Sequence, residues 1–258
     1  MRQRVGSLLW RSLGVLLALV VLFQVAFLLY FRDFYGSAEK AFWVPGLSGE
    51  FVPQGMDRLQ GGFVLSGYLS GSGAARLYLV EADGSARLIR LRTKSGQTLI
   101  SHAGGVAVSG SFVYLAGGNG QCYVFAMEDV LDPRQTAISV VGSFRTGNRA
   151  SFCCMWGQSL LVGEYAYGQR YRTADSHHLT TPAGDRNTAL VTVFPVDSEA
   201  PLGVAGGRLL HPGADPGYEL FRRRQGDPLR VQRLWGVTDV SLRLRRRTGG
   251  SAGDRVDR

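Results

Sequence analysis

The sequence predicts a mostly β protein, an incomplete β-propeller-like array of about three blades behind one N-terminal transmembrane helix. Three observations carry this expectation. A long apolar run lies near the start of the chain, short glycine-bounded β runs fill its middle, and those runs recur at intervals in the forties.

The apolar run spans Leu13 to Phe31, "LGVLLALVVLFQVAFLLYF", interrupted only by Gln24. At about 1.5 Å of rise per residue it approaches the ~30 Å of bilayer hydrocarbon. Trp10, Tyr30 and Phe31 stand near its ends, where amphipathic rings favour the interface. Arg2, Arg4 and Arg11 precede it and hold the N-terminus in the cytoplasm, so the rest of the chain is expected to be extracytoplasmic. A cleaved signal peptide is the competing reading, with a cut after Ala38 in "YGSAEK". Against it, the run exceeds the ~7–15 residues of a signal core, and Arg32 and Asp33 intervene before the cut. The expected organisation is a cytoplasmic basic segment (1–12), a signal anchor (13–31), a tether (32–50), a β domain (51–204) and an Arg-rich tail (205–258).

Within the β domain, "GGFVLSGYL", "ARLYLVEA", "GSFVYLAGG", "QCYVFAM", "QSLLVGEYA" and "TALVTVFPV" are short, rich in β-branched and aromatic residues, and bounded by turn formers. Asp83-Gly84 between two such runs marks a hairpin. "AMEDVLDP" at 126–133 reads as a single helical turn. Gln54-Gly55-Met56, Gly104-Gly105-Val106 and Cys153-Cys154-Met155 each precede a strand, anchored at Phe63, Phe112 and Leu160. Such a period of four short strands is what a propeller blade needs, and compact residues suit its crowded innermost strand. A β-sandwich or barrel is the alternative.

The formal charge of +9 is unevenly spread. Residues 1–40 hold five bases against two acids, and residues 205–258 hold twelve against six, which leaves the middle neutral. A nucleic-acid-binding domain carries its basic excess on the folded surface, so this distribution argues against one. Only Lys40 and Lys94 are lysines, a bias expected of a GC-rich gene. From about residue 205 the strand texture stops and Arg and Leu dominate without alternation. Read one nucleotide later, codons from Pro216 onward permit Q-G-M-S-F-x-D-D-G, similar to this chain's own "QGMDRLQGG". The tail is therefore expected to be disordered, as an altered reading frame that replaced further blades or as a genuine basic extension.

"FVPQGM" and the following "FVLSGYLSGSGAARLYLVEADGSARLIRL" resemble bacterial extracytoplasmic β-propellers. Among these the stretch is similar to the propeller-type glutaminyl-peptide cyclotransferases, through Phe51, Gln54, Gly55 and Met56, then Ser66, Gly67 and Tyr68. Where that family has its acidic catalytic residue, this chain has Leu65 or Ser66 and no carboxylate. The resemblance thus implies the architecture rather than the activity.

Candidate ligand-binding residues are Tyr68, His102, His177 and His178. The two adjacent histidines lie in the polar insertion "YGQRYRTADSHHLTTPAGDRN", and loop ends around the axis are where propellers bind. Cys122 and Cys153 form the candidate disulfide, with three buried free thiols as the alternative. No metal-ligand spacing, no GxSxG, HExxH or P-loop, and no spaced acid/base pair appears, so neither a cofactor nor a catalytic residue is expected. The sequence favours a membrane-anchored binding or interaction module over an enzyme. Its expected partners are the lipid bilayer through residues 13–31, and an envelope protein, peptide or glycan, with no nucleic acid. A cyclotransferase- or lactonase-type propeller enzyme is the second reading, and a nonfunctional truncated product the third.

Overall fold

The computed structural model describes residues 2–180, 184 and 186–209. These fall into two units that meet between Ala41 and Phe42. The first holds helices α1 (Arg2–Tyr30) and α2 (Arg32–Ser37). Within α1, Trp10–Tyr30 has a mean hydropathy of 2.7 and none of it is buried, so this helix is long and apolar enough to cross a membrane.

The second unit is β throughout apart from single helical turns. Its first sheet is a meander of β1 (Phe51–Leu59), β2 (Gly62–Leu69), β3 (Ala75–Val80) and β4 (Ala86–Arg92). The second contains β5 (Gly105–Ser109), β6 (Phe112–Ala116) and β7 (Gln121–Ala126). A short helix α3 (Met127–Leu131) and strand β8 (Ala137–Ser139) follow, before β9 (Gly142–Arg145) completes that sheet. β8 instead pairs in parallel with β4, so the chain of the second sheet covers the outer edge of the first. The third sheet is built from β10 (Phe152–Trp156), β11 (Ser159–Gly163), β14 (Val191–Pro195) and β15 (Arg208–Leu209). A long excursion between β11 and β14 carries the two-residue strands β12 (Leu179–Thr180) and β13 (Arg186–Asn187).

Successive sheets stack like blades, inner strand beside inner strand. A Cβ added to Gly55 of β1 would lie 2.7 Å from the Cα of Gly105 in β5. One added to Gly105 would lie 2.5 Å from the backbone nitrogen of Cys153 in β10. Only a hydrogen in place of a side chain lets the backbones approach this closely. Asp57 of β1 ties the first pair, its Oδ2 accepting from the Val108 N–H at 2.8 Å. Burial pushes that carboxyl's pKa up, while the N–H groups of Val108 and Arg58 pull it back. Apolar side chains fill the two gaps between sheets. Val64, Leu77, Leu79 and Ile89 meet Val113, Leu115 and Phe125 in the first gap. Tyr114, Cys122 and Val124 meet Cys153, Leu160, Val162 and Phe194 in the second. A smaller group, Cys154, Leu161 and Val193, lies on the third sheet. The architecture is therefore the expected incomplete propeller-like array of three blades, and not a two-sheet sandwich.

The inner hairpins fix how the repeats align. Each has a two-residue loop, Gln60-Gly61, Gly110-Ser111 or Gly157-Gln158, with positive φ at Gln60 (47°), Gly61 (83°), Gly110 (55°) and Gly157 (54°). Aligned on these loops, Gly55 matches Gly105 and then Phe152, and Phe63 matches Val113 and Leu160. This corrects the sequence alignment, in which Cys153-Cys154 stood two residues late and Phe112 one residue early. The third unit conceals its register because it has Phe152 where the others have glycine. Its ring occupies the space that a side chain at Gly163, its partner on β11, would need.

Phe42, assigned to the tether, packs its ring 5.2 Å from that of Phe63 and belongs to the β unit. β15 extends the third blade to Leu209, past the expected boundary at residue 205. The remainder of the Arg-rich tail, 210–258, with its reading-frame question, lies outside the described residues.

Candidate binding site at the loop end of the blades

The inner strands run in the same direction, so the segments leading into them share one end with the β2–β3, β6–β7 and β11–β14 connections. This end holds all four residues singled out from sequence. A common device shapes it. The Ser101 hydroxyl accepts from the Ala103 N–H at 3.1 Å and donates to the Gly117 carbonyl at 3.0 Å. Asn148, at the same place one blade later, accepts from the Ala150 N–H at 2.8 Å and donates to the Val162 carbonyl at 2.7 Å. Each brace holds its alanine at positive φ, 48° at Ala103 and 52° at Ala150. Each also presents the residue between, His102 in one blade and Arg149 in the next, at the loop apex.

On the first of these loops, His102 meets Tyr68 edge to face with ring centroids 4.9 Å apart. On the second, Arg149 stands beside a cleft of about 580 Å³, lined also by Arg145, Asn148, Glu164, Arg172, Thr173 and His177. The β6–β7 loop joins the two, with Gly118 N–H donating to Ala150 and Gly120 N–H to Arg149.

Glu164 organises the cleft. Its side chain is fully enclosed, and His177 Nδ1 lies 2.6 Å from Oε1. Oε1 also accepts from the Leu190 N–H at 3.1 Å, and Oε2 from the Arg149 N–H at 3.2 Å. One carboxylate thus ties together the 146–151 loop, the end of β11, the insertion and the approach to β14. A buried carboxylate is tolerable only with such a set of donors. The neighbouring His178 faces elsewhere, its Nε2 3.1 Å from Thr173 Oγ1, which donates in turn to the Thr188 carbonyl. Sequence reasoning chose His177 but missed Glu164, Asn148 and Arg149. The available signal was a carboxylate directly after the apolar strand in "LLVGEY", with an Asn-Arg-Ala loop one strand earlier.

Beside the cleft the insertion exposes Tyr165, Tyr167 and Tyr171. The Tyr165 and Tyr167 rings lie in nearly parallel planes, 12° apart with centroids 6.4 Å apart, and Tyr171 stands edge-on to Tyr165 at 5.3 Å. The Arg170 guanidinium carbon lies 5.6 Å from the centre of the Tyr171 ring. Arg172 pairs with Asp175 at 3.0 Å.

Cys122, Cys153 and Cys154 are free, buried thiols, the alternative to the Cys122–Cys153 bond that the sequence allows. Burial pushes Cys122 up to about 12 and Cys154 to about 11. It also raises Cys153, assisted by the neighbouring thiols. These are packing residues rather than nucleophiles. Among the described residues, no group of three or more His, Cys, Asp or Glu gathers as a metal site.

No known family model matches the chain, and no curated protein sequence does. Among solved structures it is similar to BamB from Moraxella catarrhalis, at 15% identity over 65% of this chain and 39% of that one, with a TM-score of 0.35. A europium-containing methanol dehydrogenase is similar at 8% identity over 61% of this chain and 25% of that one, TM-score 0.33. A segment of HIRA is similar at 14% identity over 55% and 36%, TM-score 0.24. The chain spans well under half the length of each of these structures.

Proposed function

We propose that the protein is a single-pass, membrane-anchored binding module whose propeller-like domain faces the extracytoplasmic side. On this reading residues 13–31 sit in the lipid bilayer, Arg2, Arg4 and Arg11 stay in the cytoplasm, and the loop end of the blades meets an envelope protein, peptide or glycan. The observation that carries it is the convergence of the Asn148-braced loop and the insertion around Glu164, which makes a preformed cleft lined by polar residues on the blade scaffold. Tyr68 and His102 extend the same surface.

An enzymatic reading has one observation in its favour. A carboxylate bonded to a histidine Nδ1 is the orienting half of a general-base relay, and the Glu164–His177 pair has that form. However, no described hydroxyl or thiol is bonded to His177, so the pair lacks a nucleophile to activate. It serves better as a clasp that closes the insertion onto the blades.

Site-specific photo-crosslinking in the full-length, membrane-embedded protein tests the binding reading. A photoreactive residue replacing Tyr167, on the loop end, should form adducts in intact cells. The same residue replacing Asp83, on a hairpin at the opposite end, should not. Equal labelling from both sites, or labelling from Asp83 alone, contradicts the assignment.

A further inference from the structure

The cleft's chemistry points to a ligand class, and here the argument rests on the binding reading above. Its walls are cationic although the central domain is neutral as a whole. Of the lining arginines, Arg172 is occupied by Asp175. Arg145 and Arg149 are exposed, and among the described residues neither pairs with a carboxylate. The lining carboxylate, Glu164, is enclosed and already holds His177 and two backbone N–H groups. An entering anion therefore meets guanidinium forks with little competing negative charge.

The second element is the tyrosine platform. Tyr165 directly follows Glu164, and its N–H is held by Ser151 Oγ at 3.1 Å, so the platform begins at the edge of the cleft. Two nearly parallel phenol rings, exposed and backed by Tyr171, offer flat faces to a partner with flat apolar faces of its own. Sugar rings have such faces, formed by their axial C–H groups. A peptide would instead seek a free strand edge or an apolar groove, and this cleft is lined mostly by charged and polar residues drawn from loops, with Arg145 at the end of β9.

We infer that the cleft binds an acidic carbohydrate, with sugar rings stacked on Tyr165 and Tyr167 and an acidic substituent held by Arg149 and Arg145. Guanidinium groups match a carboxylate or phosphate through paired N–H donors. The volume of about 580 Å³ lies within the ~300–1,000 Å³ range of small-ligand sites, so one or two sugar units fill the cleft and a longer chain continues across the tyrosines.

The test is calorimetric titration of the full-length protein in lipid nanodiscs. Probes are a hexameric oligogalacturonate, a neutral maltohexaose, a hexaglutamate peptide and a short oligothymidylate. The oligogalacturonate should bind saturably, and each of the other probes should bind at least tenfold more weakly. Arg149→Ala should weaken oligogalacturonate binding about tenfold or more, and Tyr167→Ala about fivefold. Both side chains are exposed, and unchanged melting temperatures of the variants exclude misfolding as the cause. Equal affinity for the peptide or the oligonucleotide overturns the carbohydrate assignment. Binding insensitive to both substitutions overturns the site, and absence of saturable oligogalacturonate binding overturns the ligand class. The crosslink at Tyr167 separates the two levels: adducts without oligogalacturonate binding leave the binding surface standing, and their absence removes the premise as well.

Discussion

His177 Nδ1 lies 2.6 Å from Oε1 of Glu164, a carboxylate with no exposure to solvent. The pair closes a thirteen-residue span of the insertion onto the end of β11, and the Arg149 and Leu190 N–H groups complete the carboxylate's partners. Replacing His177 by Ala leaves an enclosed charge with backbone donors only. We expect a loss of about 2 kcal/mol, because an enclosed carboxyl loses its side-chain hydrogen-bond partner. His178→Ala removes a single bond to Thr173 and should cost about 1 kcal/mol. Thermal melts of both full-length variants make the comparison, and equal losses would mean that the clasp is not special.

Asn148 and Ser101 brace equivalent loops with unequal numbers of bonds. Asn148 donates to Val162 and Thr192 and accepts from Ala150, whereas Ser101 donates to Gly117 and accepts from Ala103. Asn148→Ala should cost about 2–3 kcal/mol and Ser101→Ala about 1–2 kcal/mol, because buried donors and acceptors are left unmet. Asn148→Ala should also weaken ligand binding, since Arg149 follows it on the same loop.

Alkaline pH should destabilise the β domain earlier than its charge alone implies. Cys122 and Tyr114 are pushed up to about 12 and Cys154 to about 11, against ordinary values near 9 for thiols and 10 for tyrosine. The folded state therefore keeps these protons above pH 9, where unfolded thiols release theirs. Stability is fully present below about pH 9 and falls as pH rises toward 11–12. A melting-temperature profile from pH 7 to 11 checks this, and Cys122→Val should flatten it. Native thiols should also resist an aromatic disulfide reagent that labels all three after denaturation.

The proposed orientation rests on Arg2, Arg4 and Arg11 preceding the apolar run Leu13–Phe31 without a matching cluster just after it. Alkaline phosphatase joined after Glu50 should be active, and green fluorescent protein at the same junction dark. The opposite pattern would place the β domain in the cytoplasm and remove envelope ligands from consideration.

Local signals made much of the fold legible. The apolar run at 13–31 lies within α1 apart from its last residue, the Asp83-Gly84 turn joins β3 to β4, and "AMEDVLDP" contains α3. The repeat was real, with spacings of 50 and 47 residues between Phe63, Val113 and Leu160 once aligned on the hairpin loops, yet its register was misread because Phe152 takes the place of a glycine. The site was only half legible. Tyr68, His102 and His177 stood out as residue types, and Tyr68 and His102 do meet. Glu164 did not stand out, because its meaning depends on His177 thirteen residues away and on backbone donors from two other segments. The parallel addition of β8 to β4 left no local trace, since three residues, Ala-Ile-Ser, carry too little pattern to assign.

The central structural claim is that three blades stack through their inner strands, with Gly105 in the middle. A Cβ at Gly105 would lie 2.5 Å from the Cys153 nitrogen, whereas one at Gly206 would meet nothing within 4 Å. The most direct test is the melting temperature of Gly105→Ala against Gly206→Ala in the full-length protein. Stacked blades predict a loss of about 2 kcal/mol for Gly105→Ala, roughly 6 °C, and almost none for Gly206→Ala. Equal, negligible shifts would mean that the inner strands do not touch, and the propeller-like account would fall.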